Sequence, residues 1–416
     1  MPPAHATPPA EPIGSSPGPP TGSSPGPPLT SSTSSLNGQA PGSPVGFTTG
    51  AVGTPVPSAL GTGTAGPRSG VGDGPATPPG GRGAGALVEP GASPSGAPPA
   101  DPARLFAGVV QAVRSVVHAE EATLRLAVGC LVAGGHLLIE DFPGLGKTTL
   151  AKTLARVLGL EFRRVQFTAD LLPADVTGAL VIPPGERAPV FRPGPVFTNL
   201  LMADELNRAS ARAQSALLEA MEEGQVTVDG HSMTLPRPFL VVATQNPYDG
   251  AGTSPLPHGQ RDRFLARISL GYPGRSMEDA LLAGTNPASV VGSLSPALDP
   301  GALGALMAAV AAVHVSPLAR SYLLDIAAAT RSHPAVRVGA SPRAVLALRR
   351  LASAGAVADG RTYLLPEDIA SAAVAGLAHR LLLEPGAEVE GTGPDAVVAS
   401  IVGRVPVPTA PRAPTP

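Results

Sequence analysis

Residues 140–149 read EDFPGLGKTT, and this short stretch decides the fold. The five residues ending at Glu140, HLLIE, form an apolar pattern typical of a buried strand, and residues 148–158 have the apolar spacing of a helix that Gly159 ends. A strand, a glycine-rich turn and a helix in this order make a phosphate-binding loop. The N–H groups of the turn and the amino terminus of the helix favour bound phosphate oxygens. The stretch therefore predicts nucleotide binding.

Individual residues of the loop have separate expected roles. Lys147 is expected to reach the β- and γ-phosphates, and Thr148 to hold Mg²⁺ through its hydroxyl group. Lys147 and Lys152 are the only lysines in the sequence, and Asp141 stands where the motif G-x-x-x-x-G-K-[ST] has its first glycine. A glycine-rich turn without a ligand is the alternative interpretation. The predicted nucleotide contacts are Pro143, Gly144, Leu145, Gly146, Lys147, Thr148 and Thr149.

Two acidic residues end a later apolar strand, in the sequence LLMADE at residues 200–205. Asp204 can help to hold Mg²⁺, and Glu205 can orient and partly deprotonate an attacking water. Two solvated acids at a strand end are a common alternative. Downstream of a phosphate loop, however, the pair supplies what ATP hydrolysis needs, so Glu205 is predicted to be catalytic and Asp204 to be a metal ligand.

Three further polar residues are catalytic candidates. Asn246 follows an apolar strand in VVATQNP and could hold the attacking water or contact the γ-phosphate, although an Asn-Pro turn is the alternative. Arg263 lies in the sequence DRF. Arg343 lies at a helix start in the sequence SPR, where it could fold over the same nucleotide and sense its γ-phosphate. Either arginine could instead be a surface charge.

The chain divides into four parts. Residues 1–101, rich in Pro, Gly and Ser, are predicted to be a disordered tail that serves as a tether or as a docking arm for a partner. Residues 102–273 alternate strand and helix patterns, which predicts an α/β core with a parallel sheet. Residues 274–385 carry helical patterns alone and predict a small all-helical lid domain. Residues 386–416 are expected to form a flexible tail.

Three patterns inside the core refine this prediction. Residues 105–133 have apolar side chains at helical spacing and predict a helix before the first strand. Residues 180–191 and 226–235 contain Pro-Gly and Asp-Gly turn signals and predict two inserted β-hairpins.

Bulk properties narrow the function further. The formal net charge is -2, so nothing global favours nucleic acid or an anionic membrane surface as a partner. The single cysteine, Cys130, fits a reducing compartment. No signal peptide pattern is visible, and no apolar run approaches the ~20 residues that a membrane span needs. A cytoplasmic protein without direct membrane insertion is therefore expected.

The sequence resembles the MoxR family of AAA+ ATPases over residues 105–384. The strings that carry this resemblance are RVQFTADLLPADVTG (164–178), FRPGPVFTNLLMADELNRASARAQSALLEAMEEGQVTVDG (191–230), ATQNP (243–247), DRF (262–264), LGYP (270–273), GASPR (339–343) and HRL (379–381).

The resemblance implies a homo-hexameric ring with ATP bound between subunits, and it assigns roles to the residues named above. These would be Lys147 and Thr148 as the Walker A pair, Asp204 and Glu205 as the Walker B pair, Asn246 as sensor 1, Arg343 as sensor 2, Arg263 as the finger reaching the neighbour's γ-phosphate, and Arg208 as a second candidate for that contact. MoxR-like ATPases commonly act as chaperones with von Willebrand factor A partners, and they mature client complexes or load metal into them.

Three positions depart from the family pattern. Asp141 replaces a glycine, His118-Ala119 stands where the family usually has Gly-Gln near the adenine, and His258-Gly259 replaces a Glu-Ala pair just before the finger. The leading hypothesis is an ATP-hydrolysing chaperone that remodels or matures clients. The departures motivate an alternative, a nucleotide-switched scaffold that binds ATP with little turnover.

A DNA motor is a third possibility. The hairpin at residues 226–235 carries His231 but no lysine or arginine before Arg237, so it is a poor surface for phosphates. Nucleic acid is therefore not expected as a partner.

Overall fold

The computed structural model describes residues 101–185, 187–246, 256–284, 287–389 and 391–408. The predicted disordered tail lies outside the described residues except for Asp101, and so does residue range 409–416 of the predicted flexible tail. None of the described helices has the length and apolar character needed to span a bilayer.

The α/β core follows the predicted alternation of helices and strands. Its elements are α1 (Pro102–Arg114), α2 (Glu121–Val132), β1 (His136–Glu140), α3 (Lys147–Val157), β2 (Phe162–Gln166), α4 (Pro173–Thr177), β3 (Gly178–Val181), β4 (Val190–Pro193), β5 (Leu200–Asp204), α5 (Ala211–Glu223), β6 (Gln225–Val228), β7 (His231–Thr234), β8 (Leu240–Gln245), α6 (His258–Arg261) and β9 (Phe264–Ile268).

Five of the strands form one parallel sheet in the order β2-β5-β8-β1-β9. Successive side chains of a strand point to opposite faces. In β5, Leu200 and Met202 therefore pack with α1, α2, α3 and the lid, whereas Leu201 and Ala203 pack with α4 and α5. Both faces of the sheet are covered, as expected for a parallel sheet.

All five strands run in the same direction, so the sheet has two chemically distinct edges. The carboxyl edge consists of the residues at and just after Glu140, Gln166, Asp204, Gln245 and Ile268. The amino edge consists of the residues at and just before the first residues of the same strands. In β1 the two edges are separated by five residues, about 13 Å of extended chain.

Both predicted hairpins are present. The strands β3 and β4 pair as an antiparallel hairpin, and so do β6 and β7. The second hairpin turns at Asp229 and Gly230, both of which have positive φ angles of 48° and 81°. An Asp-Gly turn of this kind matches the twist of the two strands.

The lid domain is mainly helical, with one short strand pairing. Its elements are α7 (Arg275–Leu282), α8 (Pro287–Ser293), α9 (Pro300–Ala311), α10 (Pro317–Ser332), β10 (Val336–Val338), α11 (Pro342–Ala358), α12 (Pro366–Leu377), β11 (Leu382–Leu383), α13 (Pro385–Val389) and α14 (Pro394–Arg404). Asp299, Ser316 and Ser341 cap α9, α10 and α11 through side-chain hydrogen bonds to backbone N–H groups, and each of these helices begins with proline.

Two sequence expectations are corrected. The chain does not lose regular structure after residue 385, because α14 buries Val397, Val398 and Ile401 against neighbouring lid helices. The helix predicted over residues 105–133 is two helices, α1 and α2, with a turn whose valines 116 and 117 are both buried. Helical spacing alone did not separate buried turn residues from buried helix residues.

Candidate nucleotide-binding site

The phosphate loop lies at the carboxyl edge, between β1 and α3. Gly144 and Gly146 both have φ angles of 85°, in the left-handed region that glycine enters without strain. The turn ends at Lys147, the first residue of α3, whose ammonium group donates to the backbone carbonyls of Asp141 and Phe142. Thr148 and Thr149 follow in the first turn of the helix and are half-buried. A phosphate at this place would meet the positive end of the helix dipole.

Asp141, the departure at the first loop position, has a structural partner. Its buried carboxylate accepts hydrogen bonds from the Ser269 hydroxyl at 2.7 Å and from the N–H of Leu270. These contacts fasten the start of the phosphate loop to the chain that leaves β9. A carboxylate that accepts a backbone N–H is a strong, charge-assisted contact, which explains how an acid can replace glycine here.

Asp204, the last residue of β5, is buried and fully engaged. Its Oδ1 accepts from the Thr244 hydroxyl at 2.6 Å, and its Oδ2 accepts from Arg164, whose Nε lies 3.1 Å away. The strand register places β2, β5 and β8 side by side at this point. Asp204 therefore presents a carboxylate at the carboxyl edge, and this carboxylate is already paired with the cationic Arg164.

Glu205 leaves the strand in a left-handed conformation with φ 56°. Such a backbone is uncommon for a residue other than glycine and marks a position that its surroundings hold in place. Its N–H donates to the Thr244 hydroxyl at 2.9 Å, so Thr244 joins the Asp204 carboxylate to the Glu205 backbone. The Glu205 carboxylate is partly exposed and contacts Arg208 at 3.2 Å.

Asn246 follows β8 at the same edge and is buried. Its backbone carbonyl accepts a hydrogen bond from Asn207 Nδ2 at 3.2 Å, which ties the turn after Glu205 to the end of β8. Asn207 Oδ1 and Gln245 Nε2 are buried polar atoms without a hydrogen-bond partner within the part of the chain that the structure describes. Buried polar atoms usually have partners, so these two fit a region that receives a polar ligand.

A cavity of about 690 Å³ lies between the turn after α1 and the chain that leaves β9. Its lining residues are Arg114, His118, Ala119, Glu120, Thr123, Ser269, Leu270, Gly271, Tyr272 and Gly274. The lining includes His118 and Ala119, at the position that the family resemblance places near the adenine. The ring of Tyr272 lies 6.2 Å from that of Phe142 in the phosphate loop, so the cavity and the loop are contiguous.

The structure places the two predicted catalytic arginines at the opposite, amino edge. Arg263 immediately precedes β9, whose first residue pairs with the first residue of β1. Both Arg263 and Arg343 bind the carboxylate of Glu222 near the end of α5. The hydrogen bond from Arg343 lowers the pKa of Glu222, and the same bond raises the pKa of Arg343. Arg343 therefore does not fold over the phosphate loop of its own chain, contrary to one expectation from the sequence.

The amino edge also joins the lid to the core. Arg380, which is 3% exposed, donates to Asp262 Oδ1 at 2.8 Å and to the carbonyl oxygen of Phe264 at 2.6 Å. His379 Nε2 is 3.0 Å from the same carbonyl oxygen, and the Ser341 hydroxyl donates to Asp262 Oδ2 at 3.1 Å. The sequence DRF (262–264) in the core and the sequence HRL (379–381) in the lid thus contact each other and join the two domains.

His258, another departure from the family pattern, takes part in this lid contact. Its Nε2 lies 2.6 Å from the carbonyl oxygen of Arg380. The short helix α6 that contains it leads directly to Asp262 and Arg263. The departure therefore adds a link between the lid and the segment that carries the arginine.

Sequence reasoning did not identify four residues that organise the site: Arg164, Asn207, Glu222 and Thr244. Thr244 could have been found, since it is a hydroxyl-bearing residue in an otherwise apolar strand beside the acidic pair. Arg164 and Asn207 lie inside strings that carry the family resemblance, yet no motif gives them a role. Glu222 lies in the sequence MEE at a helix end, where acids usually face solvent, so no local signal marks it.

Comparisons with known proteins agree with this geometry. Residues 136–266 match the family described as the ATPase family associated with various cellular activities (AAA), and residues 328–401 match the AAA lid domain. The chain is 41% identical to the uncharacterized protein YeaC of Bacillus subtilis, an alignment that covers 73% of this chain and 95% of YeaC. A crystal structure of a protein from Cytophaga hutchinsonii, provisionally described as an ATPase, has a TM-score of 0.67 at 34% identity and covers 74% of this chain and 96% of its own.

A phosphate loop, a parallel sheet in this order and a helical lid define an AAA-type ATPase. The chain is also 37% identical to the chaperone MoxR1 of Mycobacterium tuberculosis, over 72% of this chain and 81% of MoxR1. The chain therefore belongs to the MoxR family of AAA+ ATPases.

Proposed function

We propose that the protein binds and hydrolyses ATP in a homo-oligomeric ring and uses the turnover to remodel or mature client proteins. The observation that carries this proposal is the distribution of polar groups between the two sheet edges. Lys147, Thr148, Asp204, Glu205 and Asn246 lie together at the carboxyl edge. A lysine, a hydroxyl group, two carboxylates and an amide at one sheet edge can together bind a nucleoside triphosphate and activate water.

At the carboxyl edge, Lys147 would bind the β- and γ-phosphates, and the residues 143–149 would surround them. Glu205 would accept the proton of the attacking water, and Asn246 would orient that water. The partial exposure of the Glu205 carboxylate leaves it accessible to a substrate. The conformation of its backbone, fixed through Thr244, gives the carboxylate a defined direction.

The donor set also fits a magnesium ion. The Thr148 hydroxyl and the Asp204 carboxylate are the hard oxygen ligands that Mg²⁺ prefers. When bound, Mg²⁺ would neutralise negative charge that develops on the phosphates during hydrolysis. Thr148 and Asp204 are thus proposed to hold the metal.

The amino edge supplies the argument for a ring, which we propose to be a hexamer. Arg263 precedes β9 at the amino edge, and the length of β1, about 13 Å, separates that edge from the phosphate loop. Arg343 contacts Glu222 at the same edge. An arginine that stabilises the γ-phosphate must touch it, so these two fit the nucleotide of a neighbouring subunit better than their own. A head-to-tail interface places the amino edge of one subunit against the carboxyl edge of the next and closes into a ring. Arg208 remains a further candidate for this contact.

The chaperone role is proposed from the family. MoxR1 of Mycobacterium tuberculosis is described as a chaperone. The resemblance to the family implies a protein with a von Willebrand factor A domain as the partner, and we propose such a partner for this chain. Metal loading of a client complex is one form that this role can take.

Substitution of Glu205 by Gln tests the proposed hydrolysis. The amide keeps the size of the side chain but cannot accept a proton, so we expect steady-state phosphate release to fall roughly 100-fold or more while ATP still binds. Glu219→Gln, an exposed acid on α5, is the charge-matched control and is expected to retain the wild-type rate. Phosphate release by Glu205→Gln at the wild-type rate would contradict the mechanism.

A second function, a nucleotide-switched scaffold with little turnover, is favoured by one observation. Arg164 pairs with Asp204, the residue proposed to hold the metal, and so competes with it. Phosphate release by wild-type protein, measured with and without a partner, separates the two functions. Binding of ATP without measurable release under either condition would support the scaffold.

A further inference from the structure

Glu222 joins two arginines that come from different domains. Its Oε2 accepts from Arg263, with Nε at 2.9 Å and Nη2 at 2.8 Å, and its Oε1 accepts from Nη2 of Arg343. Arg263 belongs to the core, between α6 and β9, whereas Arg343 lies in the first turn of the lid helix α11. Each oxygen of one carboxylate therefore holds one arginine.

The Glu222 carboxylate reduces the charge repulsion between Arg263 and Arg343 at the amino edge. Two guanidinium groups are permanently charged and repel each other when both approach one small region. The hydrogen bond from Arg343 lowers the pKa of Glu222, so the carboxylate stays ionised at neutral pH and offsets this repulsion. The carboxylate also holds both arginine side chains in place before the substrate binds. The loss of their rotamer entropy therefore does not occur at the moment of binding.

We propose that Glu222 is a positioning residue for hydrolysis in the neighbouring subunit. It holds Arg263 and Arg343 side by side, so that both guanidinium groups are presented together to one γ-phosphate. This inference rests on the proposed ring ATPase and adds to it the residue that organises the arginines. Glu222 itself touches no phosphate.

The position of Glu222 near the end of α5 links it to the turn that carries Glu205 at the start of the same helix. The helix begins just after the turn that carries Glu205 and Arg208, and it spans about 20 Å before it ends at Glu223. One rigid element thus connects the hydrolytic residues of a subunit with the arginines that serve the next subunit. A shift of α5 at one nucleotide would move the arginine pair at the adjacent nucleotide.

Substitution of Glu222 by Gln in the full-length chain tests the proposal. The amide keeps the size but loses the charge and one acceptor oxygen, so we expect kcat to fall between roughly 10-fold and 100-fold while nucleotide affinity stays within about twofold of wild type. Glu223→Gln is the matched control, since it removes the same charge one residue further on and binds neither arginine. Unchanged ring assembly and circular dichroism would exclude misfolding as the cause.

Mixed rings identify the nucleotide that Glu222 serves. Lys147→Ala has a defective nucleotide site but an intact amino edge, so it can present its arginines to a Glu222→Gln neighbour whose own nucleotide site is intact. At equal amounts, about a quarter of the interfaces have this arrangement, and we expect about a quarter of the wild-type rate to return. A mixture of Glu222→Gln and Arg263→Ala is expected to show no such recovery, because both variants lack an intact amino edge.

The outcomes are distinct. A reduced kcat that Lys147→Ala restores supports the proposal. A wild-type or increased rate in Glu222→Gln, or a reduced rate that mixing does not restore, would overturn it while leaving the ring ATPase intact. No hydrolysis by the wild-type chain would instead contradict the proposed function, and this inference with it.

Discussion

The two edges of the sheet are built in different ways. At the carboxyl edge, each polar group follows the strand that positions it: the phosphate loop follows β1, the acids end β5, and Asn246 follows β8. At the amino edge, Glu222 and Arg263 come from the core, whereas Arg343 and Arg380 come from the lid. The carboxyl edge is therefore built by the core alone, whereas the amino edge also needs residues of the docked lid.

The largest expected effect concerns Arg343 and decides whether the two edges serve one subunit or two. Arg343→Ala would remove the cation that is proposed to contact a γ-phosphate, so we expect ATP hydrolysis to fall roughly 1000-fold while ATP binding persists. If Arg343 serves the neighbouring nucleotide, mixing this variant with Lys147→Ala restores hydrolysis. If the mixture is as inactive as each variant alone, Arg343 serves the nucleotide of its own subunit. The two edges would then serve the same nucleotide. Arg349→Ala, a lid arginine outside the amino edge, is the control.

This difference in construction also explains what the sequence could predict. The phosphate loop, Asp204, Glu205 and Asn246 could be predicted to lie together because each stands at or just after the end of an apolar strand, and parallel strands bring their carboxyl ends to one edge. The location of Arg343 was not predictable from its motif, since SPR gives a helix start but not the docking of that helix. Glu222 carried no signal, because its partners lie 41 and 121 residues away along the chain.

The docking of the lid can be broken at Asp262. Asp262→Asn leaves the guanidinium of Arg380, which is 3% exposed, without its charged partner, and removing one member of a buried ion pair costs about 3–5 kcal/mol. We expect urea unfolding to show that loss, or an early transition of the lid alone. The exposed pair of Arg125 and Asp359 provides the control, since Asp359→Asn should cost under about 1 kcal/mol. Equal losses of unfolding free energy in Asp262→Asn and Asp359→Asn would show that the buried ion pair stabilises the protein no more than the exposed pair does.

The smallest expected effect is a dependence of stability on pH that originates at the amino edge. His379 is buried beside Arg380, and burial followed by that charge keeps its pKa well below the usual value. His136, at the start of β1, has its pKa lowered to about 4 by desolvation. The unfolded chain binds a proton at each histidine near pH 6.5 and the folded chain does not, so stability is lost as the pH falls from about 6.5 towards 4.

Urea unfolding at pH 7.5 and 5.5 measures this dependence. Each histidine that stays neutral in the folded chain lowers the free energy of unfolding by about 1.4 kcal/mol between these two pH values. His379→Gln removes one such group, so the difference between the two pH values should shrink by that amount even if the variant is less stable at both. His231→Gln, at an exposed position of the β6–β7 hairpin, should leave the difference unchanged. An identical difference in wild type and His379→Gln would mean that His379 is not held neutral in the folded chain, and the dependence on pH at the amino edge would then have to come from His136.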